Sequence, residues 1–176
     1  MIYVFTTGKH YLVSLPILKT MLKDVVSATG ADVSKVTREI FFIDDDEEEL
    51  LIFQLALKDS DISFNLHYAK SGDVFFNILE QKKPDLIFLD LHMPGKSGIT
   101  VLKMLRYNEK YKSIPIIIYS KLNNPTFIND CYLAKANYYL IKPVSIKKLT
   151  KALHKIIDSN WDAGNYPSRE NFVIEE

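Results

Sequence analysis

Residues 86–98 read Leu-Ile-Phe-Leu-Asp-Leu-His-Met-Pro-Gly-Lys-Ser-Gly. Four apolar residues in a row stop at a carboxylate, Asp90, and a turn-forming segment with Pro94, Gly95 and Gly98 follows. A continuous apolar run of this length suits a strand covered on both faces, as in parallel sheets. Working outward, the same punctuation recurs. Upstream, Ile40-Phe41-Phe42-Ile43 ends at Asp44-Asp45; downstream, Ile116-Ile117-Ile118-Tyr119 ends at Ser120, and Tyr138-Tyr139-Leu140-Ile141 ends at Lys142. One run differs: Ile62 to Tyr68 alternates apolar and polar residues, the mark of a strand with one wet face at a sheet edge.

Helical patterns fall between the runs. Leu50, Phe53 and Leu57 form one stripe, behind the acids Glu47, Glu48 and Glu49, which suit the first turn of a helix dipole. Asp46 through Glu49 read as a solvated helix start. Gly98–Glu109 and Thr126–Ala136 are the expected middle helices. Ser145 reads as an N-cap before Ile146, Leu149, Leu153, Ile156 and Ile157 on one face. Five β-α units with right-handed crossovers predict an α/β fold, a five-stranded parallel doubly wound sheet. With the alternating second strand at an edge, the order is 2-1-3-4-5, as in flavodoxin-like folds.

In such a sheet ligands bind beyond the carboxyl ends of the strands. Four separated segments therefore deliver Asp44, Asp45, Asp90, Ser120 and Lys142 to one rim. Two unit charges ~4 Å apart repel by about 4 kcal/mol at an effective dielectric of ~20, so gathered carboxylates need a cation. Mg²⁺ prefers carboxylate oxygens, water and phosphate. Lys142 adds a point charge for a phosphoryl oxygen, and Ser120 a neutral donor. The set describes phosphoryl transfer, where positioning and charge neutralisation dominate.

The segments FFIDDDEEE, LIFLDLHMPGKSG, PIIIYSK and YYLIKP resemble the receiver domains of two-component response regulators, over roughly residues 39–158. The resemblance implies a single-domain response regulator, a signalling protein that catalyses only its own phosphorylation and dephosphorylation. Asp90 would become an aspartyl-phosphate, with the phosphoryl group coming from a sensor histidine kinase or a histidine phosphotransfer protein. Asp45 and Asp90 would hold Mg²⁺ directly, Asp44 mainly through water, and the backbone carbonyl of His92 would be a further ligand. Lys142 would bind the phosphoryl group and be joined to Pro143 by a cis bond. Ser120 and Tyr139 would form the switch, Tyr139 rotating inward and remodelling the face of the fourth helix, fifth strand and fifth helix toward a downstream protein target. Two positions depart from the pattern. Lys121 stands where a small residue is usual, and is expected to crowd the phosphoryl group or contact it, slowing small phosphodonors. Lys135-Ala136 replaces a common glycine-alanine and should affect only the turn.

Ile43-Asp44-Asp45-Asp46 also resembles the start of haloacid-dehalogenase-like phosphatases, with Ser120 and Lys142 as later motifs. That family needs an acidic pair after the lysine. Here only Glu175 and Glu176 adjoin, at the end of the sequence, and Asp90 is left without a role. A pseudo-receiver that binds partners without phosphate would lack an acid or the lysine, and none is lacking.

Composition sets the remaining bounds. The 176 residues are 47% hydrophobic and 25% charged, a globular profile. Lys plus Arg number 22 and Asp plus Glu 22, a balance that disfavours general DNA or anionic-membrane binding. Fewer than 20 residues follow the fifth helix, too few for a DNA-binding output domain. Cys131 is the only cysteine and reads as core filler; with no apolar run of ~20 residues and no secretory signal, a cytoplasmic setting is expected. His10, His67 and His154 lack metal-ligand spacing. Residues 1–38 form an N-terminal extension with a possible strand pair around Gly8 and an amphipathic stretch at Leu15, Leu18, Leu22 and Val25. Residues 159–176 are expected as an extended or lightly packed tail, whose aromatics point to a homodimer resembling phytochrome-associated regulators.

Overall fold

The computed structural model describes residues 2–6, 9–13, 37–59, 63–159, 161 and 166–176. The chain divides into two compact units, Met1–Val36 and Thr37–Glu176. In the first, Ile2–Thr6 and Lys9–Val13 pair antiparallel, which is the strand pair expected around Gly8. Leu15, Leu18, Leu22 and Val25 lie outside the described residues.

The second unit alternates strands and helices: β1 (Arg38–Ile43), α1 (Glu47–Lys58), β2 (Phe64–Ala69), α2 (Gly72–Leu79), β3 (Leu86–Leu89) and α3 (Gly98–Tyr107). It continues with β4 (Ile116–Ser120), α4 (Pro125–Leu133), β5 (Tyr138–Ile141), α5 (Ile146–Ile157) and β6 (Val173–Ile174). All neighbours in the sheet are parallel, in the order β2-β1-β3-β4-β5-β6. The alternating strand is at the edge, as the sequence predicts. The sheet nonetheless has six strands rather than five. β6 comes from the expected tail, whose Phe172 and Ile174 are 1% and 3% exposed, so that segment is packed rather than loose. Two strand residues are too few to display a periodicity.

Successive strand residues point to opposite faces, so the sheet builds two cores. Phe41, Ile43, Ile87, Leu89 and Ile118 pack beneath α2, α3 and α4 with Phe75, Leu102 and Leu105. Ile40, Phe42, Phe88, Ile117 and Leu140 pack beneath α1 and α5 with Phe53, Leu153 and Ile156. Each such side chain contributes roughly 1.5–3 kcal/mol on burial, and together they fix which face of the sheet every strand residue takes.

Side-chain caps set where helices begin. Asp46 accepts from the Glu48 amide at 2.9 Å and Ser145 from the Lys148 amide at 3.4 Å. Ile146, the first residue of α5, is 38% exposed and leaves the expected apolar face to Leu149, Leu153, Ile156 and Ile157. α4 starts one residue earlier than expected because Pro125 fits a first-turn position with no amide to satisfy. It ends at Leu133, ahead of Lys135, whose φ of 65° is left-handed. That conformation costs a non-glycine residue roughly 1–2 kcal/mol, and the Arg106 Nε bond to the Lys135 carbonyl at 2.7 Å holds it. Cys131 is buried, which pushes its thiol up to about 12, consistent with core filler.

At the wet edge Glu39 accepts from Asn65 at 2.9 Å, meets His67 at 2.5 Å and lies 3.2 Å from Lys82. These partners, Asn65 foremost, hold its carboxyl down to about 2. A depressed carboxyl adds stability that is present above its unfolded value of 4.5 and lost as pH falls toward 2. Glu39→Gln is therefore expected to flatten the acid limb of stability between those limits in pH-dependent urea unfolding. Parallel acid limbs for variant and wild type would contradict the assignment.

Candidate functional site

Adjacent parallel strands end level, and backbone bonds lock those ends together. The Asp90 amide donates to the Ile43 carbonyl at 2.8 Å, and the Lys142 amide to the Ser120 carbonyl at 3.0 Å. Asp44 and Asp45 follow β1, Asp90 follows β3, Ser120 closes β4 and Lys142 follows β5. The expected residues do meet. One oxygen each from Asp44, Asp45 and Asp90 lies within 4.8 Å of the others. A cavity of about 330 Å³ is lined by these acids, Asp46, His92, Ser120, Lys121, Leu122 and Lys142.

Asp44, Asp90 and Ser120 are 1%, 5% and 1% exposed, whereas Asp45 is open to solvent. Both oxygens of Asp44 are engaged: Oδ1 accepts from the Asp46 amide at 3.0 Å and Oδ2 from Lys142 Nζ at 2.6 Å. Burial raises the Asp44 pKa above its ordinary value, against the opposing pull of Lys142. Asp90 Oδ2 accepts from the His92 amide at 2.6 Å, leaving Oδ1 on the side of Lys142, 3.7 Å away. Lys142, whose side chain is 7% exposed, is thus held against Asp44 and Asp90 inside the pocket rather than on the surface.

One participant was misread in the sequence. Glu49, grouped there with a solvated helix start, is 7% exposed and faces the site. Its carboxylate stands 2.8 Å from Lys121 and 3.9 Å from Lys142, and accepts from the Tyr119 hydroxyl at 3.4 Å. The signal was available: Glu49 precedes the fully buried Phe53 by four residues and so shares its helix face. Lys121 is consequently tied back to Glu49, which raises its pKa, rather than standing unpartnered over Asp90.

Two further expectations change. Among the described residues there is no cis peptide bond, so Lys142–Pro143 is trans. Trans is the lower-energy form by roughly 0.5–1 kcal/mol, and Lys142 Nζ reaches Asp44 without the cis bend. Tyr139 is already inward: it is fully buried, and its hydroxyl donates to the Leu122 carbonyl at 2.6 Å beside Ser120. Burial pushes that phenol upward, so it stays a neutral donor.

An open parallel sheet whose strand ends gather acids, a lysine and a hydroxyl defines a receiver-type signalling domain. The chain belongs to the response regulator receiver domain family, whose model matches residues 40–154. It is similar to the response regulator Rcp1 of Synechocystis sp. (strain ATCC 27184 / PCC 6803 / Kazusa), 29% identical over 138 residues that cover 74% of this chain and 93% of that protein. Several other relatives are longer, and the chain spans between 20% and 39% of their length. The crystal structure of the Mn²⁺-bound form of Rcp1 superposes with a TM-score of 0.64 at 27% identity, covering 74% of this chain and 99% of that one. The phosphorylated cyanobacterial phytochrome response regulator RcpA gives 0.66 at 26% identity, covering 76% and 100%. Among the described residues no helix is long and apolar enough to cross a membrane.

Proposed function

We propose that Asp90 accepts a phosphoryl group from a phosphohistidine on a sensor kinase or phosphotransfer protein, and that the phosphorylated chain signals through contacts with a target protein. The convergence of Asp44, Asp45, Asp90 and Lys142 from three strand ends carries this reading. Mg²⁺ fits the donor set. One oxygen each from Asp44, Asp45 and Asp90 gathers within 4.8 Å, and Mg²⁺ prefers carboxylate oxygens together with water and phosphate. Asp45 and Asp90 would hold the ion directly, Asp44, whose oxygens accept from the Asp46 amide and from Lys142, would act mainly through water, and the His92 carbonyl would be a further ligand. The ion would neutralise the charge gathering on the transferred oxygens.

Asp90 Oδ1 would attack phosphorus in line as the phosphorus–nitrogen bond to the donor breaks, leaving the histidine free and Asp90 as an acyl phosphate. Lys142, 3.7 Å from that oxygen, would hold a phosphoryl oxygen, and Ser120 would donate its hydroxyl to another. Tyr139, already packed behind Ser120, would hold the switch in place. The chain would thus turn over only its own phosphoryl group.

Incubation with Mg²⁺ and acetyl phosphate, followed by intact mass, tests this. The expected result is one added phosphoryl group in the wild type and none in Asp90→Asn. Equal incorporation in the two would refute the assignment. The Glu49–Lys121 pair makes a second expectation measurable. Glu49→Gln removes one negative charge beside the metal ligands and releases Lys121, so Mg²⁺ affinity should fall about fivefold; Lys121→Ala should raise it by a similar factor. Isothermal titration calorimetry reads both, and shifts of the same sign would contradict the charge account.

A further inference from the structure

We propose that the cavity between the C-terminal turns of α3 and α4 binds a nucleoside phosphate, with Lys103 and Lys135 holding the phosphate and Tyr107 stacking on the base. The cavity lies at the end of the sheet opposite the acid rim, and its assignment does not rest on the phosphoacceptor reading above. α3 starts against the Asp90 backbone and runs away from it. In its last turn Arg106 bonds the Ile114 carbonyl at 2.9 Å and Asn137 Oδ1 at 2.9 Å, just before β4 and β5 begin. The cavity measures about 480 Å³. Small-molecule sites typically span roughly 300–1,000 Å³. Its walls carry three cations, Lys103, Arg106 and Lys135, against one acid, Asp130, beside the apolar Leu133 and Ala134.

Those cations lack counter-charges. Lys82, Lys96, Lys112, Lys121, Lys142 and Lys151 each meet a carboxylate. Among the described residues Lys103, Arg106 and Lys135 form no ion pair. Arg106 is half-buried and spends its N–H groups on neutral oxygens, the carbonyls of Lys112, Ile114 and Lys135 and the side chain of Asn137. Burial lowers its pKa from the ordinary value, and only the Tyr166 phenol acts against that. A partly buried cation without an acid partner is the circumstance in which a bound anion stabilises a site.

Backbone and aromatic observations point the same way. Lys135 sits at φ 65°, a left-handed conformation that glycine adopts freely and other residues only at a cost. The chain nevertheless carries a lysine there, and the strained position sets its side chain on the cavity wall, where Nζ stands 5.9 Å from the Tyr166 ring centre. Strain of this kind is kept where the side chain has work to do. Tyr107, 88% exposed, closes α3 at the edge of the cavity and also borders an adjoining hollow with Met104. A bare aromatic face takes a nucleobase by stacking, and flanking lysines take its phosphate as point charges.

The test titrates the full chain with AMP in EDTA and follows backbone amide shifts by NMR, with adenosine and inorganic phosphate as separate arms. AMP should shift the amides of residues 103–107 and 130–135 and saturate with a Kd below about 1 mM at low salt. Phosphate should bind about fivefold more weakly, and adenosine should leave those amides in place. Lys103→Ala and Tyr107→Ala, both at exposed positions, should each weaken AMP about fivefold. Lys135→Gly separates binding from folding: it relieves the left-handed lysine and should raise Tm, yet weaken AMP about tenfold. No shift with AMP, or AMP binding that Lys135→Gly leaves intact, would overturn the site. Phosphate binding as tightly as AMP, or adenosine matching it, would overturn the nucleoside phosphate as its ligand.

Discussion

Lys142→Ala is expected to destabilise the metal-free protein by about 3–5 kcal/mol and to slow phosphorylation by about a hundredfold or more. Lys142 Nζ lies 2.6 Å from Asp44, 3.7 Å from Asp90 and 3.9 Å from Glu49, and the side chains of this group are all under a tenth exposed. The ammonium also caps the Tyr119 ring at 5.0 Å, so truncation removes packing as well as charge. What remains is buried carboxylate without a counter-charge. Burial already raises Asp44, and losing the lysine removes the main influence that lowers it. A carboxyl whose folded pKa lies above its unfolded value gains stability as pH falls, so the variant should recover stability on mild acidification. Mg²⁺ should stabilise the variant more than the wild type, because it supplies the missing cation. Urea unfolding in EDTA and in Mg²⁺, at two pH values, reads every part of this. A variant as stable as wild type in EDTA would show that Lys142 does not neutralise the pocket.

The second large effect is steric. Gly98 opens α3 with its amide donating to the Leu91 carbonyl at 3.1 Å, which lays the helix start against the Asp90 backbone. A β-carbon there would stand 2.0 Å from the Asp90 carbonyl oxygen, 2.8 Å from Leu91 Cα and 2.9 Å from Asp90 C. All three atoms are backbone, so no rotamer relieves the clash. Gly98→Ala should cost about 3 kcal/mol or more, and the surviving folded fraction should carry a displaced Asp90. Gly95→Ala is the control. Its φ is +80° with open space around the position, so the cost is the left-handed backbone alone, roughly 1–2 kcal/mol. Thermal unfolding should rank the two, and the phosphorylation rate should fall for Gly98→Ala well beyond its loss of folded protein. Equal behaviour would mean that helix start and phosphoacceptor are not braced together.

The legibility of this chain follows its physics. Ile40–Ile43, Leu86–Leu89 and Ile116–Tyr119 announce themselves because central parallel strands are apolar on both faces, and the residue ending each run lies at the rim. The edge position of β2 was readable from its alternation, and its polar face is where Glu39, Asn65 and His67 pair. Glu49 was obscured by its neighbours: in a run of acids, composition says solvent, while only the helical spacing to Phe53 says core. The trans Lys142–Pro143 bond and the inward Tyr139 are conformational choices that residue identity does not specify. β6 depends on a pairing between residues more than thirty positions apart, to which a two-residue strand contributes no pattern of its own.

Borohydride reduction of the phosphorylated protein, followed by peptide mass mapping, addresses the phosphoacceptor most directly, because hydride converts an aspartyl phosphate to homoserine at the modified position. Homoserine at position 90, formed only after incubation with Mg²⁺ and a phosphodonor, is the predicted result. Phosphate retained on Ser120, or homoserine at Asp44 or Asp45 in place of Asp90, would contradict it.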